Sequence, residues 1–351
     1  MNKKIGFGII GCGLISKWHA EGIRCDERAV LVGVTDRIKE STLKITEEYG
    51  CRGFETVQDM LECEEIQVVC ICTPSGTHAP LAIQAAKSGK HVVLEKPMAI
   101  TQTQLQDVIA AGEENGVKIA VISQLRFSPA IRFVKKAIED GVLGRLISGD
   151  VYMKYYRSEE YYRRGGWRGT LAMDGGGALM NQGIHGIDLL QYLMGQVKSV
   201  SCMTATLRHD IEVEDTANVL VEFESGSLGV IQGTTSVYPG YSRLLSLHGT
   251  KGSVVLKEDT ILKWDVEDVP VPEELMSNHI KYESFQDPGN FGTDYHALQI
   301  SDMITAILEN KSPMVDMYEG KKAVDIILTA YKAARSGKKE FILSEKYNSI
   351  Y

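Results

Sequence analysis

The sequence predicts an α/β protein in two parts: a doubly wound parallel sheet over residues 1–122, then an α/β part with long antiparallel strands over residues 123–351. Three observations carry this. The first 122 residues alternate short, nearly continuous apolar runs with helical segments, as strands covered on both faces do. Later strands alternate apolar and polar positions, which suits a sheet with one wet or partner-covered face. A chain of 351 residues is too long for one ordinary domain and suits two.

In chain order, Ile5–Ile10 is a β-rich run ending at glycine, and Leu14–Arg24 follows as a helix. Ala29–Val34 is a second strand closed by Thr35-Asp36, and Val68–Cys72 a third closed by Thr73-Pro74-Ser75-Gly76. Thr77–Ser88 reads as a helix stopped by Gly89. Strands His91–Glu95 and Lys118–Ile122 flank helix Thr101–Asn115. Ser128–Asp140 then forms an amphipathic helix. In Ala217–Glu224 the residues Ala217, Val219, Val221 and Phe223 fall on one face, and Ser225-Gly226 turns into Ser227–Gln232, an antiparallel hairpin. Ser199–Arg208, Arg243–His248 and Ser253–Lys257 are strands of the same kind. Long helices close the chain near Tyr295–Glu309 and Gly320–Ser336.

Composition narrows the partners. The net charge of −8 argues against a general nucleic-acid or anionic-membrane binder. The longest apolar runs fall far short of the roughly 20 residues of a membrane span. The opening Met1–Ile5 leads straight into a strand, leaving no room for a signal peptide. Seven cysteines are an odd count; Cys70 and Cys72 share a strand face, and no second Cys/His pair stands at zinc spacing. They read as small buried hydrophobes in a reduced, cytoplasmic protein, and no metal is expected.

The segment Gly11-Cys12-Gly13-Leu14-Ile15-Ser16 follows the first strand and opens the first helix. Its glycines allow a tight turn and close backbone approach to a pyrophosphate, and the helix start offers N–H groups and positive dipole. Ser16 replaces the third glycine of the dinucleotide fingerprint. Asp36, at the end of the second strand, suits adenosine ribose hydroxyls and repels a 2′-phosphate, which favours NAD; Arg37, able to meet such a phosphate or stack on adenine, keeps NADP open.

Two further places carry chemistry. Glu95-Lys96-Pro97 closes a strand at the sheet end where ligands bind, and Lys96 there can stabilise a developing alkoxide or simply be a surface lysine. Pro97 rigidifies that turn, with a cis bond open to it. Gly175-Gly176-Gly177 precede a helix-like run in which Asn181 and His185 stand four apart, hence on one face. His185 suits a general base; a helix-start histidine bonded to local backbone fits the spacing equally.

These motifs together resemble the Gfo/Idh/MocA family of NAD(P)-dependent oxidoreductases over essentially the whole chain. The resemblance rests on Gly11-Cys12-Gly13, Cys72-Thr73-Pro74-Ser75 with His78, Glu95-Lys96-Pro97, Gly175–His185, and His296…Asp302…Ile304. It implies a Rossmann domain, then an α/β domain with a large, mainly antiparallel open sheet that pairs copies into homodimers or homotetramers. It implies dehydrogenation of a CH–OH carbon in a sugar, cyclitol or nucleotide sugar. Relatives using NAD transiently for hydrolysis or elimination, and a non-catalytic NAD-binding protein, are the alternatives. Carried over, Lys96 and His185 are catalytic, with the substrate hydroxyl between them. Gly11, Gly13, Leu14, Ile15, Asp36, Arg37, Thr73, Pro74, Ser75, His78, Glu95 and Lys96 hold the cofactor. Many members carry Asp where this chain has Asn181, which can bond a hydroxyl but cannot take its proton, so His185 must do more of the acid–base work.

Tyr152–Arg168 holds six aromatic residues and five basic ones against Glu159 and Glu160. Aromatic faces stack on sugars and guanidinium groups grip carboxylates or phosphates. Trp167 and Arg168, with Arg126 and Asn181, are therefore substrate candidates, and a uronic-acid or nucleotide-sugar substrate fits. A subunit contact would draw on the same residue types.

Overall fold

The computed structural model describes residues 4–276 and 294–342. Met1–Lys3, part of the opening segment read as leaving no room for a signal peptide, lie outside them. The chain forms two compact units. The first comprises the described residues within Met1–Phe127, Ala172–Gly175 and Gly292–Lys321; the second comprises those within Ser128–Leu171, Gly176–Phe291 and Lys322–Tyr351. The division is therefore not a single cut near residue 122: a late helix returns to the first unit.

The first unit is a six-stranded parallel sheet in the order β3-β2-β1-β4-β5-β6. Its elements are β1 (Ile5–Ile10), α1 (Ser16–Arg24), β2 (Ala29–Thr35), α2 (Lys39–Tyr49), β3 (Arg52–Gly53), α3 (Val57–Glu62), β4 (Val68–Ile71), α4 (His78–Lys87), β5 (His91–Leu94), α5 (Gln102–Glu114) and β6 (Ile119–Val121). This is the Rossmann order, with its switch point between β1 and β4. The sequence does not single out α2 and α3, whose apolar content is low. They stand on local devices instead: Thr56 and Asp59 form a reciprocal capping box at α3, and Gly50 closes α2 in the left-handed conformation.

Every residue of β1 and β4 is buried. Phe7, Ile9, Val68, Cys70, Cys72 and Val93 form one cluster with Ala20 and Ile23 of α1 and with Ile300, Met303 and Ile304. The last three belong to a helix of the late segment. A fully buried side chain of this size contributes roughly 1.5–3 kcal/mol, which is why the late helix, packed on α1, is integral to this sheet. Cys70 and Cys72 lie in the cluster, and burial pushes both thiols well above their ordinary range. All seven cysteines are unpaired.

The second unit carries α6 (Pro129–Glu139), β7 (Leu146–Lys154), α7 (Glu159–Arg163), α8 (Ile184–Met194), β8 (Val197–Ala205), β9 (Thr216–Phe223), β10 (Leu228–Thr234), β11 (Leu244–Gly249), β12 (Gly252–Lys257) and β13 (Thr260–Val266). The chain ends with α9 (Asp294–Leu308), the late helix of the first unit, then α10 (Met317–Ser336) and β14 (Glu340–Phe341). The eight-stranded sheet runs β13-β12-β11-β7-β10-β9-β8-β14, antiparallel throughout except for β7 against β10. The hairpin expected at 217–232 is β9–β10, with Ala217, Val219, Val221 and Phe223 all buried on the inner face. Among the described residues no helix is long and apolar enough to cross a membrane.

Candidate active site

The dinucleotide turn lies at the switch point of the first sheet. Gly11 adopts φ +94°, and a Cβ there would stand 2.7 Å from the Cys72 carbonyl oxygen, so this turn requires glycine. Gly13 has nothing within 4 Å of an added Cβ and is exposed. Helix α1 begins two residues later than the sequence suggests, because Gly13 and Leu14 belong to the turn; Ser16 donates to Gly13 O at 2.6 Å and locks it. No side chain caps α1 and no acidic residue occupies its first turn. Its N-terminal amides and positive dipole are thus presented at the open side of the glycine turn, as a pyrophosphate requires. Asp36 accepts from the Cys12 and Ile38 main-chain N–H groups at 2.7 and 2.8 Å, which fixes its carboxylate beside the turn. These residues fit NAD.

The loop after β4 and the turn after β5 are joined by His78. Its Nδ1 stands 2.7 Å from Pro97 O and its Nε2 2.8 Å from Thr73 O. Burial lowers the pKa of this imidazole, and the two carbonyls oppose that shift. His78 therefore sets the spacing between Thr73-Pro74-Ser75 and Lys96-Pro97. The Lys96–Pro97 peptide is cis.

Glu95 turns inward. Its Oε1 lies 2.9 Å from His19 Nε2 and 3.7 Å from His296 Nε2, and its Oε2 accepts from the Lys96 main-chain N–H at 3.2 Å. Burial alone would raise its pKa; the two imidazoles hold it well below the usual carboxylate range. The Nδ1 atoms of both histidines are buried without a hydrogen-bond partner. An ionised carboxylate only accepts, so the His19 Nε2 that meets it at 2.9 Å is the donor. One ligand atom from each of the three lies within 4.8 Å of the others, but the carboxylate already takes its bonds from the protein. As a cluster it escaped sequence reasoning, since α1, the turn after β5 and α9 supply one member each. Sequence marked Glu95, in the Glu95-Lys96-Pro97 motif and as a cofactor residue, and His296 in the late segment, but not His19 and not their meeting.

Gly175-Gly176-Gly177 do precede a helical run, which lies in the second unit, but its first turn is a π-helix, Ala178–Gly183, before α8 begins at Ile184. Asn181 lies in the π-turn and His185 in the first turn of α8. Such turns recur at functional sites. Gln182, which the sequence does not mark, is the link to the aromatic loop. Its Oε1 accepts from Arg157 at 2.6 Å, and its Nε2 donates to Tyr161 Oη and to Asn181 Oδ1, both at 2.9 Å. Arg168 lies over the rings of Tyr161 and Trp167, 4.7 and 4.8 Å from their centroids. The basic-aromatic stretch is thereby tied to the turn that carries Asn181. Arg126 is placed differently: its guanidinium is buried in the first unit and bonded to Glu319 at 2.9 Å.

Residues 5–123 match the oxidoreductase family with an NAD-binding Rossmann fold, and residues 131–255 match the GFO/IDH/MocA C-terminal domain. The chain belongs to the GFO/IDH/MocA oxidoreductase family. Within the family it is 33% identical to the WlbA dehydrogenase of Bordetella pertussis, solved with NADH and UDP-GlcNAcA, covering 98% of this chain and 99% of that one with a TM-score of 0.88. The WlbA dehydrogenase of Chromobacterium violaceum, solved with the same two ligands, is 32% identical over 99% and 98% with a TM-score of 0.88. Inositol 2-dehydrogenase of Rhizobium meliloti is 27% identical over 257 residues, 71% of this chain and 74% of that protein. As a GFO/IDH/MocA member, this protein is an NAD-dependent oxidoreductase, with the expected doubly wound Rossmann sheet and mainly antiparallel second sheet.

Proposed function

We propose that this protein dehydrogenates a carbinol carbon of a nucleotide-linked uronic sugar of the UDP-GlcNAcA class. The observation that carries this reading is the Arg157–Gln182–Tyr161 linkage. It ties the stretch that carries the half-buried Trp167 and Arg168, groups suited to a sugar ring and to its carboxylate or diphosphate, to the turn of Asn181. The near full-length likeness to two proteins solved with UDP-GlcNAcA supports it. NAD, when bound, supplies the hydride acceptor. Lys96 hydrogen-bonds the reacting oxygen and stabilises it as charge develops, and His185 takes the hydroxyl proton. Asn181 orients the substrate by hydrogen bonding, since an amide cannot accept that proton.

The test is NADH formation at 340 nm with NAD and UDP-GlcNAcA, myo-inositol or levoglucosan, alongside thermal shifts. UDP-GlcNAcA at about 100 times its Kd stabilises the folded protein by about 2.7 kcal/mol through mass action. Turnover and stabilisation with UDP-GlcNAcA alone are the expected result. Turnover with inositol or levoglucosan and none with UDP-GlcNAcA overturns the reading.

Homo-oligomer formation through the second sheet belongs to the same proposal. Strand register puts Met203, Leu220 and Leu228 on its outer face, where they are 74%, 63% and 61% exposed. Apolar side chains on that face suit a second copy of it. Light scattering should give a dimer or tetramer mass, and a monomer at micromolar concentration would rule this out. Seven unpaired thiols support a reducing, cytoplasmic setting.

A further inference from the structure

One buried carboxyl of the second unit has no part in the chemistry above. Glu214 stands two residues before β9 and is 8% exposed. Its Oε2 accepts from Gly177 N, and its Oε1 accepts from both Leu179 N and Tyr331 Oη, each at 2.9 Å. Its main-chain oxygen accepts from Ala178 N at 2.9 Å. Three consecutive N–H groups at the start of the π-turn therefore end on one residue. The free amides of a helix start are ordinarily met by the N-cap side chain. Here the N-cap is Gly177, and a residue 37 positions further along the chain does the work.

The glycines make this possible. A Cβ at Gly177 would stand 1.7 Å from Glu214 O, and one at Gly176 would stand 2.3 Å from Tyr331 Oη. Gly176 and Gly177 thus serve less to start a helix than to admit a phenol and a carboxylate residue against their backbone.

We infer that Glu214 is a positioning residue for the dehydrogenation: it tethers the π-turn in the arrangement that presents Asn181 and His185, and Tyr331 holds Glu214 in place. The inference rests on the proposed roles of those two residues. Every group directed at the Glu214 side chain is a donor, so the tether works with the carboxylate ionised. Burial raises its pKa to about 7, opposed by the bonds from Leu179, Tyr331 and Gly177. The titratable groups facing it are Tyr331, pushed well above its ordinary range by burial, and Cys202 on β8, pushed up to about 12. Near neutral pH, Glu214 is the one of the three that changes charge. Protonation replaces an acceptor by an O–H directed at donors, so the tether weakens as pH falls through about 7.

The test uses the full chain with Glu214→Gln, Glu214→Asp and Tyr331→Phe. Glutamine keeps the shape but turns an NH2 toward a main-chain N–H. It should lower kcat for UDP-GlcNAcA oxidation about tenfold or more, leave the KM for NAD within about twofold, and speed hydrogen exchange at amides 177–181. Tyr331→Phe removes one donor to the carboxylate and should move the acid limb of the kcat profile to higher pH. Aspartate, too short to reach both amides, should fall with glutamine. Wild-type kcat and wild-type exchange in Glu214→Gln overturn the inference. If that variant does not fold, an unmoved acid limb in Tyr331→Phe overturns it. Exchange is read without substrate, so the two readings separate. Fast exchange in Glu214→Gln beside full turnover in His185→Ala keeps the tether and rejects His185 as the base.

Discussion

Replacing His185 with alanine should lower kcat by about 10²–10⁴-fold, the usual worth of a positioned general base. Steady-state NADH formation with UDP-GlcNAcA reads this directly. His185 sits in the first turn of α8 in the second unit, whereas the glycine turn and Asp36 belong to the first. Affinity for NADH, read by fluorescence titration, should therefore stay within about threefold. With Asn181 where an aspartate would offer a second proton acceptor, no neighbouring side chain of the π-turn substitutes for the lost imidazole. Residual activity should also lose the pH-dependent limb due to the base. Near-wild-type turnover in His185→Ala would remove His185 from the chemistry.

Lys96→Met should cost about 10²–10³ in kcat, the scale of removing one donor from a developing oxyanion. Methionine keeps the length and apolar stem of the side chain and removes only its charge. The turn itself is held by other groups: His78 fixes Pro97 O and Thr73 O, and Glu95 accepts the Lys96 main-chain N–H. Folding, followed by thermal melting, should be unchanged. Arginine should fail to restore activity, because its planar fork presents donors in a different geometry from a compact ammonium. Full activity of Lys96→Met would show that the lysine is a surface charge, the other reading open to it from sequence.

The Rossmann half was legible because its signals are local. Apolar runs of four to seven residues, a glycine turn between strand and helix, and an acidic residue closing β2 all lie within single strand–helix units. The β9–β10 hairpin was legible from its period of two. What sequence missed depends on long-range closure. Residues 19, 95 and 296 are far apart in the chain, and only burial against one sheet brings their side chains to one carboxylate. Gln182 and Glu214 look like ordinary polar residues until Arg157, Tyr161 and Tyr331 are seen to point at them. The π-turn follows the same rule, since no propensity separates it from an α-turn in the sequence ALMNQG.

Sequence by itself thus determined the parallel sheet and the dinucleotide turn, and it named Lys96 and His185 as the candidates to steady an oxyanion and move a proton. Those properties belong to residue type and short spacing. The tertiary structure alone decided the use of the flanking polar groups: Glu95 is an inward anchor for the lysine turn, Arg126 a buried partner of Glu319, and Glu214 a cap for a helix start that lacks its own. A buried charge must find its partner wherever the chain folds it, and that partner is set by packing across the whole unit, beyond the reach of any local pattern.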